Sequence, residues 1–187
     1  TLSGFTLDGQ SSIVYGVYND GTSPTLDDLV IKSFTDNAIR NVNGAAPKIT
    51  DNTINGNGGS GDAGIYTMGG GADIEITGNE VYGNASGTGD GIYHNGTSGL
   101  IADNIVYSNP TNGLSLIDSS AAVVRNTFKG PSQHVGISIQ GGSPEIIENI
   151  VGDSVNNHST HGISINTSVP SDLKIINNTV QFNFGNN

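Results

Sequence analysis

Isoleucine, valine and leucine recur along this chain in short segments, separated at alternate positions by polar residues. Six segments share the form apolar-x-x-Asn-x-apolar, at 49–54, 76–81, 101–106, 123–128, 146–151 and 175–180. Two weaker copies precede them, at 2–7 and 29–34, and the shared position recurs every 20 to 29 residues. Alternation with a period of two predicts strands with one buried face. Recurrence at this interval predicts a solenoid.

A second motif, usually Gly-Ile, follows seven of these copies, at 16–18, 38–40, 64–66, 91–93, 113–115, 136–138 and 162–164. Together the motifs predict an all-β, right-handed parallel β-helix of about eight coils, with 1–187 as a single domain. The recurring asparagines are expected to point inward and to bond from coil to coil, as stacked amides do in cross-β structure. This structural ladder comprises Asn52, Asn79, Asn104, Asn126, Asn149 and Asn178.

The repeat resembles that of the pectate-lyase-like superfamily, which includes polysaccharide lyases, alginate C5-epimerases, periplasmic copper-delivery accessory proteins and phage tailspikes. The resemblance covers nearly the whole chain and implies the fold. It does not select an activity, because the repeat residues build a scaffold that hosts many functions. The calcium-binding nonapeptide repeat does not recur, and no Asp-Pro dipeptide occurs.

The net charge of the chain disfavours some classes of binding partner. The chain has 6 basic and 17 acidic residues, a net charge of −11, and no cysteine. Such an acidic surface repels nucleic acids and anionic membranes, and no apolar run is long enough for membrane insertion. Both termini fall in mid-repeat without a capping helix, so we expect part of a longer chain or a unit that stacks axially. The expected location is extracellular, at the cell surface or periplasmic.

Phasing the coils places most charged residues in surface columns. The predicted groups are Asp28–Lys48–Glu75, Asp103–Arg125–Glu148 and Glu145–Lys174, with Lys32 replacing the ladder asparagine in the second coil. Alternating sign along a stack relieves like-charge repulsion, and we favour this structural interpretation over catalytic sets. Individual exposed pairs contribute only about 0–1 kcal/mol.

Five tyrosines fall in two outward columns with the remaining cations. The first column reads Tyr18, Arg40, Tyr66, Tyr93, Ser115, Ser138 and Ser164. The second reads Asp8, Thr35, Asn55, Tyr82, Tyr107, Lys129, Gly152 and Gln181. These tyrosines, with Arg40 and Lys129, are predicted to bind a polysaccharide, because sugar faces stack on aromatic rings and guanidinium groups bond hydroxyls or carboxylates. The alternative is that the stacks only stabilise the wall.

The histidines predict no metal site. His94 shares the phase of Leu116 and Ile139, so we expect a core side chain. His158 and His161 are close in sequence but have no third ligand at suitable spacing.

An outward column becomes apolar towards the C-terminus. It reads Val30, Thr50, Thr77, Ala102, Val124, Ile147 and Ile176. Because solvated sheet faces are normally polar, Val124, Ile147 and Ile176 are predicted to form an interface, through self-association or contact with the rest of a longer chain.

Two main functions follow. The first is an extracellular structural or binding module, a surface, adhesion or filament component, for which glycans are the candidate partner and no cofactor is expected. The second is a lyase or C5-epimerase acting on polysaccharides. For that reading the resemblance implies Arg40 as the base and Ca²⁺ to neutralise the substrate carboxylate.

Overall fold

The computed structural model describes residues 1–59, 63–84, 89–96, 98–130, 135–153, 161–166 and 172–181. In these ranges the chain forms 23 strands and no helix. Each coil contributes one strand to each of three sheets in turn, and every pair of neighbouring strands is parallel. This is the architecture that the repeat predicts.

The first sheet contains β1 Leu2–Ser3, β4 Thr25–Asp27, β7 Lys48–Thr50, β10 Glu75–Thr77, β13 Leu100–Ala102, β16 Ala122–Val124, β19 Glu145–Ile147 and β22 Lys174–Ile176. The second sheet contains β2 Thr6–Asp8, β5 Val30–Lys32, β8 Thr53–Asn55, β11 Glu80–Tyr82, β14 Ile105–Tyr107, β17 Thr127–Gly130, β20 Ile150–Asp153 and β23 Thr179–Gln181. The third sheet contains β3 Val17–Asp20, β6 Ile39–Val42, β9 Ala63–Met68, β12 Asp90–Asn95, β15 Asn112–Ile117, β18 Val135–Gln140 and β21 His161–Ile165.

The predicted fold class, an all-β parallel β-helix, is confirmed. The described strands complete seven coils and begin another, slightly fewer than the eight expected. The core is a cylinder of stacked aliphatic columns, each contributed by one sheet. Its fully buried members include Ile49, Ile76 and Ile101 in the first sheet, Ile54, Val81 and Val106 in the second, and Ile65, Ile92 and Leu114 in the third.

The corner between the first and second sheets has the same backbone in every coil. One residue adopts a left-handed conformation, with φ between 50° and 76°, and the next points inward. The left-handed residues are Gly4, Asp28, Asp51, Gly78, Asp103, Arg125, Glu148 and Asn177. This conformation is uncommon for residues other than glycine, asparagine and aspartate. At Arg125 and Glu148 the surrounding coils therefore impose it.

The predicted asparagine ladder fills this corner. The Asn104 side-chain oxygen accepts bonds from the backbone N and the Nδ2 of Asn79, at 3.0 and 2.9 Å. Its own Nδ2 donates to the carbonyl of Ile76 and to Oδ1 of Asn126, both at 2.8 Å. Each amide thus satisfies backbone groups that the tight corner removes from the sheet pattern.

A second asparagine ladder follows at the next corner and was not predicted. Asn57, Asn84 and Asn109 are buried and bond to one another in the same way, at 2.9 and 3.3 Å between side chains. Each lies five residues after a member of the first ladder, so this constant spacing in the sequence indicates the second ladder.

The first position of the Gly-Ile motif requires glycine for a steric reason. At Gly91 an added Cβ would lie 2.4 Å from Cγ1 of Val106 and 2.7 Å from Nδ2 of Asn109. At Gly136 it would lie 2.2 Å from Cγ1 of Val151. The start of the third sheet therefore packs so closely on the second sheet and its ladder that a side chain does not fit.

The predicted phase of the second coil is wrong by three residues. Leu26 pairs with Ile49 and Lys32 pairs with Asn55, so Leu29 holds the ladder position and donates its backbone N to Asn52. In the outward columns Thr25 replaces Asp28, Asp27 replaces Val30, and Lys32 replaces Thr35.

Candidate functional site

The outer face of the third sheet brings together one arginine and four tyrosines. Tyr18, Arg40, Tyr66 and Tyr93 pair across neighbouring strands in the register that the repeat predicts. The fourth tyrosine is Tyr15, which precedes the aligned motif and was not included in the column. We call these five residues the Arg40 cluster.

Arg40 lies between two aromatic rings. Its guanidinium carbon is 4.6 Å from the ring centroid of Tyr66 and 5.6 Å from that of Tyr15. Tyr18, the expected neighbour on that side, instead packs against Tyr15 at 5.5 Å with a tilt of 33°. Cation–π contacts of this kind hold a charged group without neutralising it.

The Tyr66 ring continues the stack on its other side. Its centroid is 4.8 Å from that of Tyr93, with only 3° between the ring planes. The Tyr66 hydroxyl is 3.2 Å from the sulfur of Met68, and Nδ2 of Asn95 donates to the Tyr93 hydroxyl at 3.0 Å. Both rings are therefore fixed at their outer ends.

A carboxylate lies beside the cluster. Asp36 accepts a bond from the backbone N of Asn37 at 2.7 Å and also bonds its side-chain amide. Burial, followed by interaction with Asp36, raises the pKa of Tyr15 above its usual value. Burial and then Tyr93 raise the pKa of Tyr66, against the opposing effect of Arg40. Both phenols consequently remain neutral hydrogen-bond donors near pH 7.

The second tyrosine column lies on the second sheet. Tyr82 and Tyr107 stack at 4.8 Å with 7° between planes, and the Tyr107 hydroxyl donates to Glu80 at 2.9 Å. Burial, and then this bond, raise the pKa of Tyr107 to about 12. Lys129 pairs in register with Tyr107 and is exposed.

Four of the six cations form ion pairs within the described ranges. The pairs are Lys32–Asp8 at 3.4 Å, Lys48–Glu75 at 3.0 Å, Arg125–Asp103 at 2.7 Å and Lys174–Glu145 at 2.5 Å. Two expectations for these cations are wrong. Thr25 and not Asp28 pairs with Lys48, and Lys32 lies in the outward column beside Asp8 instead of at the ladder position. Among the described residues, Arg40 and Lys129 are the cations without an ion pair, and each lies in a tyrosine column.

His94 is in the core, as its phase predicts. The side chain is fully buried, and Nδ1 lies 3.0 Å from Oγ of Ser119. Nε2 has no hydrogen-bond partner. Burial lowers the pKa of this imidazole to about 4.

The predicted interface column forms a continuous outward stripe. Val124, Ile147 and Ile176 pair in register, and Ile176 at the last coil is 43% exposed. Across the corner, Ile105 and Ile150 on the second sheet are each 48% exposed. The apolar surface is thus wider than the sequence column indicated.

Metal-ligating groups are sparse in the described ranges. They contain no cluster of three or more histidine, aspartate or glutamate residues able to hold a metal ion. His161 is exposed on β21, whereas His158 lies outside the described residues. No described helix is long and apolar enough to span a membrane.

Most of the chain matches a known protein family. The family described as "Right handed beta helix region" matches residues 12–183. The chain belongs to this right-handed β-helix family. The match begins before the Arg40 cluster and contains all of it, so the candidate site is part of the β-helix itself.

Among solved structures, the chain is similar to a double mutant of the periplasmic alginate epimerase AlgG. That match has 15% identity and a TM-score of 0.33, and it covers 86% of this β-helix but 50% of the epimerase chain. This β-helix therefore spans about half the length of that protein. Among curated proteins no relative matches it.

Proposed function

We propose that this β-helix is an extracellular binding module that holds a polysaccharide against the outer face of its third sheet. The observation that carries the proposal is the position of Arg40, which lacks an ion pair among the described residues and lies between Tyr15 and Tyr66. On a chain of net charge −11, a cation without a carboxylate partner is available to a ligand.

The guanidinium carbon of Arg40 lies over the rings of Tyr15 and Tyr66. A guanidinium carries five N–H donors in a planar fork. These donors match a carboxylate in bidentate geometry or two neighbouring sugar hydroxyls. A planar group held between rings also loses little conformational freedom on binding, which favours affinity.

The tyrosines contribute in a different way from that expected at first. Tyr66 uses one ring face on Arg40 and the other on Tyr93, so neither face is open to a sugar. Tyr93 keeps one face, on the side of Ser115. A ligand therefore meets ring edges and neutral hydroxyls along most of the cluster, and meets an aromatic face at its Tyr93 end.

Tyr18 and Met68 widen this surface. They are 51% and 50% exposed and flank the stacked rings on the same sheet. Exposed aromatic and thioether groups bind the apolar C–H face of a sugar, while the hydroxyls and Arg40 bind its polar edge. We include an extracellular location in the same proposal, because the proposed polysaccharide ligand lies outside the cytoplasm.

The test is an affinity panel with soluble polysaccharides of different charge, such as pectate, alginate and a neutral xylan. We expect one or more acidic polymers to bind the wild-type protein and Arg40→Ala to weaken that binding about ten- to hundredfold, since a charged hydrogen-bonding group contributes about 1.5–3 kcal/mol. Arg40→Lys keeps the charge but loses the planar stack, so we expect partial recovery.

Arg125→Ala is the matched control, because it removes an arginine that is already paired with Asp103. Equal binding by Arg40→Ala and wild type would contradict the proposal, as would the absence of binding to every polymer. The enzymatic alternative has its own readout in the same panel: release of unsaturated uronate, lost in Arg40→Ala, would indicate a lyase.

A further inference from the structure

The outer face of the second sheet carries two stacked tyrosine rings, followed by a lysine and then by a glycine. The surface is lower at this glycine, and we call the drop between Lys129 and Gly152 the step. The outward column of this sheet runs Tyr82, Tyr107, Lys129 and Gly152 in register across four coils. The two rings stack at 4.8 Å, which equals the spacing of neighbouring strands. The ring planes therefore lie across the helix axis, and the second face of Tyr107 looks towards Lys129.

The Tyr107 ring is held in place before any ligand arrives. Its hydroxyl donates to Glu80 and its inner face packs on Tyr82. The raised pKa keeps the phenol neutral over the physiological range. Little motion has to be frozen on binding, which lowers the cost of association.

Gly152 leaves the next position without a side chain. Among the described residues, a Cβ added there would meet only the backbone oxygen and Cβ of Gln181, at 3.7 and 3.9 Å. This glycine is neither left-handed nor crowded, in contrast to the glycines of the Gly-Ile motif. Its effect is to lower the surface by one side chain beside Lys129.

Lys129 supplies charge at the step. It is exposed and forms no ion pair with a described residue, whereas the lysine of the same column in the second coil, Lys32, is paired with Asp8. Ile105 and Ile150 border the step from the adjacent column, each 48% exposed. The surface thus combines an aromatic face, an ammonium group and apolar sides.

We propose that Tyr107 and Lys129 form a second binding site, for an acidic sugar residue that stacks on Tyr107 and places its carboxylate or sulfate on Lys129. The site is on a different sheet from the Arg40 cluster and does not depend on it. A module with both sites binds two polysaccharide segments at once, and such bivalence raises the apparent affinity for long chains.

The experiment is calorimetric titration of the wild-type protein with three short probes: trigalacturonate for carboxylate, a heparin-derived tetrasaccharide for sulfate, and maltotriose as the neutral probe. To isolate the second site, the same titrations are made on Arg40→Ala. We expect Arg40→Ala to retain one binding event for an acidic probe, and maltotriose to bind neither protein measurably.

In the Arg40→Ala background, Lys129→Ala is expected to weaken the acidic probe about tenfold or more, and Tyr107→Ala to do likewise. Lys32→Ala, the matched control in the same column, is expected to change affinity by less than about twofold. Unchanged affinity in Lys129→Ala, or no residual binding once Arg40 is removed, would overturn the second site. Neither result would count against the Arg40 cluster, because that site is tested with residue 129 intact.

Discussion

Acidification should destabilise this β-helix through a single buried side chain. His94 is fully buried, and one imidazole nitrogen has no hydrogen-bond partner. Protonation would place a charge in the core, and burial accordingly lowers the pKa from 6.5 to about 4. Because the folded-state pKa is the lower one, the folded form prefers the neutral imidazole. The stabilisation is complete above pH 6.5 and is lost as the pH falls towards 4.

The magnitude follows from the separation of the two pKa values. A difference of about 2.5 pH units corresponds to about 3 kcal/mol when the pH falls below both values. At pH 4.5 most of that loss is already expected, about 2–3 kcal/mol. This is a large share of the stability of a typical domain.

The assay is denaturant unfolding at pH 7 and pH 4.5, on wild type and on His94→Leu. Leucine is the natural choice, since Leu116 occupies the same inward position in the next coil. Carboxylates also titrate in this range but are common to both proteins, so the difference between them isolates His94. We expect wild type to lose about 2–3 kcal/mol more than the variant.

His161→Leu serves as the control, because this histidine is exposed. Equal pH dependence of wild type and His94→Leu would refute the reasoning. Should His94→Leu fail to fold, an NMR titration of the wild-type imidazole provides the second measurement. A midpoint near 4 is expected, and a midpoint near 6.5 would be incompatible with a buried, desolvated ring.

Three further changes test the wall of the solenoid. Asn104→Ala leaves the partners of four buried hydrogen bonds unpaired and should lower the free energy of unfolding by about 3 kcal/mol or more. The control Asn55→Ala, on the outer surface, should lower it by less than about 0.5 kcal/mol. Similar values for the two variants would show that the ladder is dispensable. Gly91→Ala sets a methyl group against Val106 and should cost about 1–3 kcal/mol, and a neutral result would mean that the sheets separate readily. Ile147→Lys should leave folding intact but reduce self-association measured by light scattering, and an unchanged mass distribution would argue against an interface at that stripe.

The repeat predicted the fold because both of its periods have direct physical meaning. Alternating apolar residues define the inner face of each strand, and a recurring inward amide requires an equivalent partner one coil away. The second ladder was equally visible in principle. Asn57, Asn84 and Asn109 each follow the first ladder by five residues, which places them outside the six-residue motif that defines the repeat.

The second coil shows where a pattern alone is insufficient. Leu26, Leu29, Ile31 and Phe34 are all buried, so two alignments three residues apart both point apolar side chains inward. The contacts of the next coil decide between them. Asn52 bonds the backbone N–H of Leu29, a group that every residue except proline provides, so this coil needs no asparagine of its own.

The candidate site was predicted in its register but not in its contacts. Sequence phasing gives the column of Tyr18, Arg40 and Tyr66, since register depends only on the coil repeat. Side-chain rotamers, in contrast, do not follow from the coil repeat. Tyr15 therefore enters the cluster from a turn, and Arg40 lies over Tyr15, while Tyr18 packs against Tyr15 instead.

The most direct test of polysaccharide binding is an NMR map of the contact surface, recorded on labelled protein with the acidic oligosaccharide that binds most tightly. Binding at the Arg40 cluster predicts the largest amide shifts at Tyr15, Tyr18, Arg40, Tyr66 and Tyr93. The first sheet should be nearly silent, because its cations Lys48 and Lys174 are already paired with Glu75 and Glu145. Shifts confined to the first sheet, or no shifts at saturating oligosaccharide, would contradict the account.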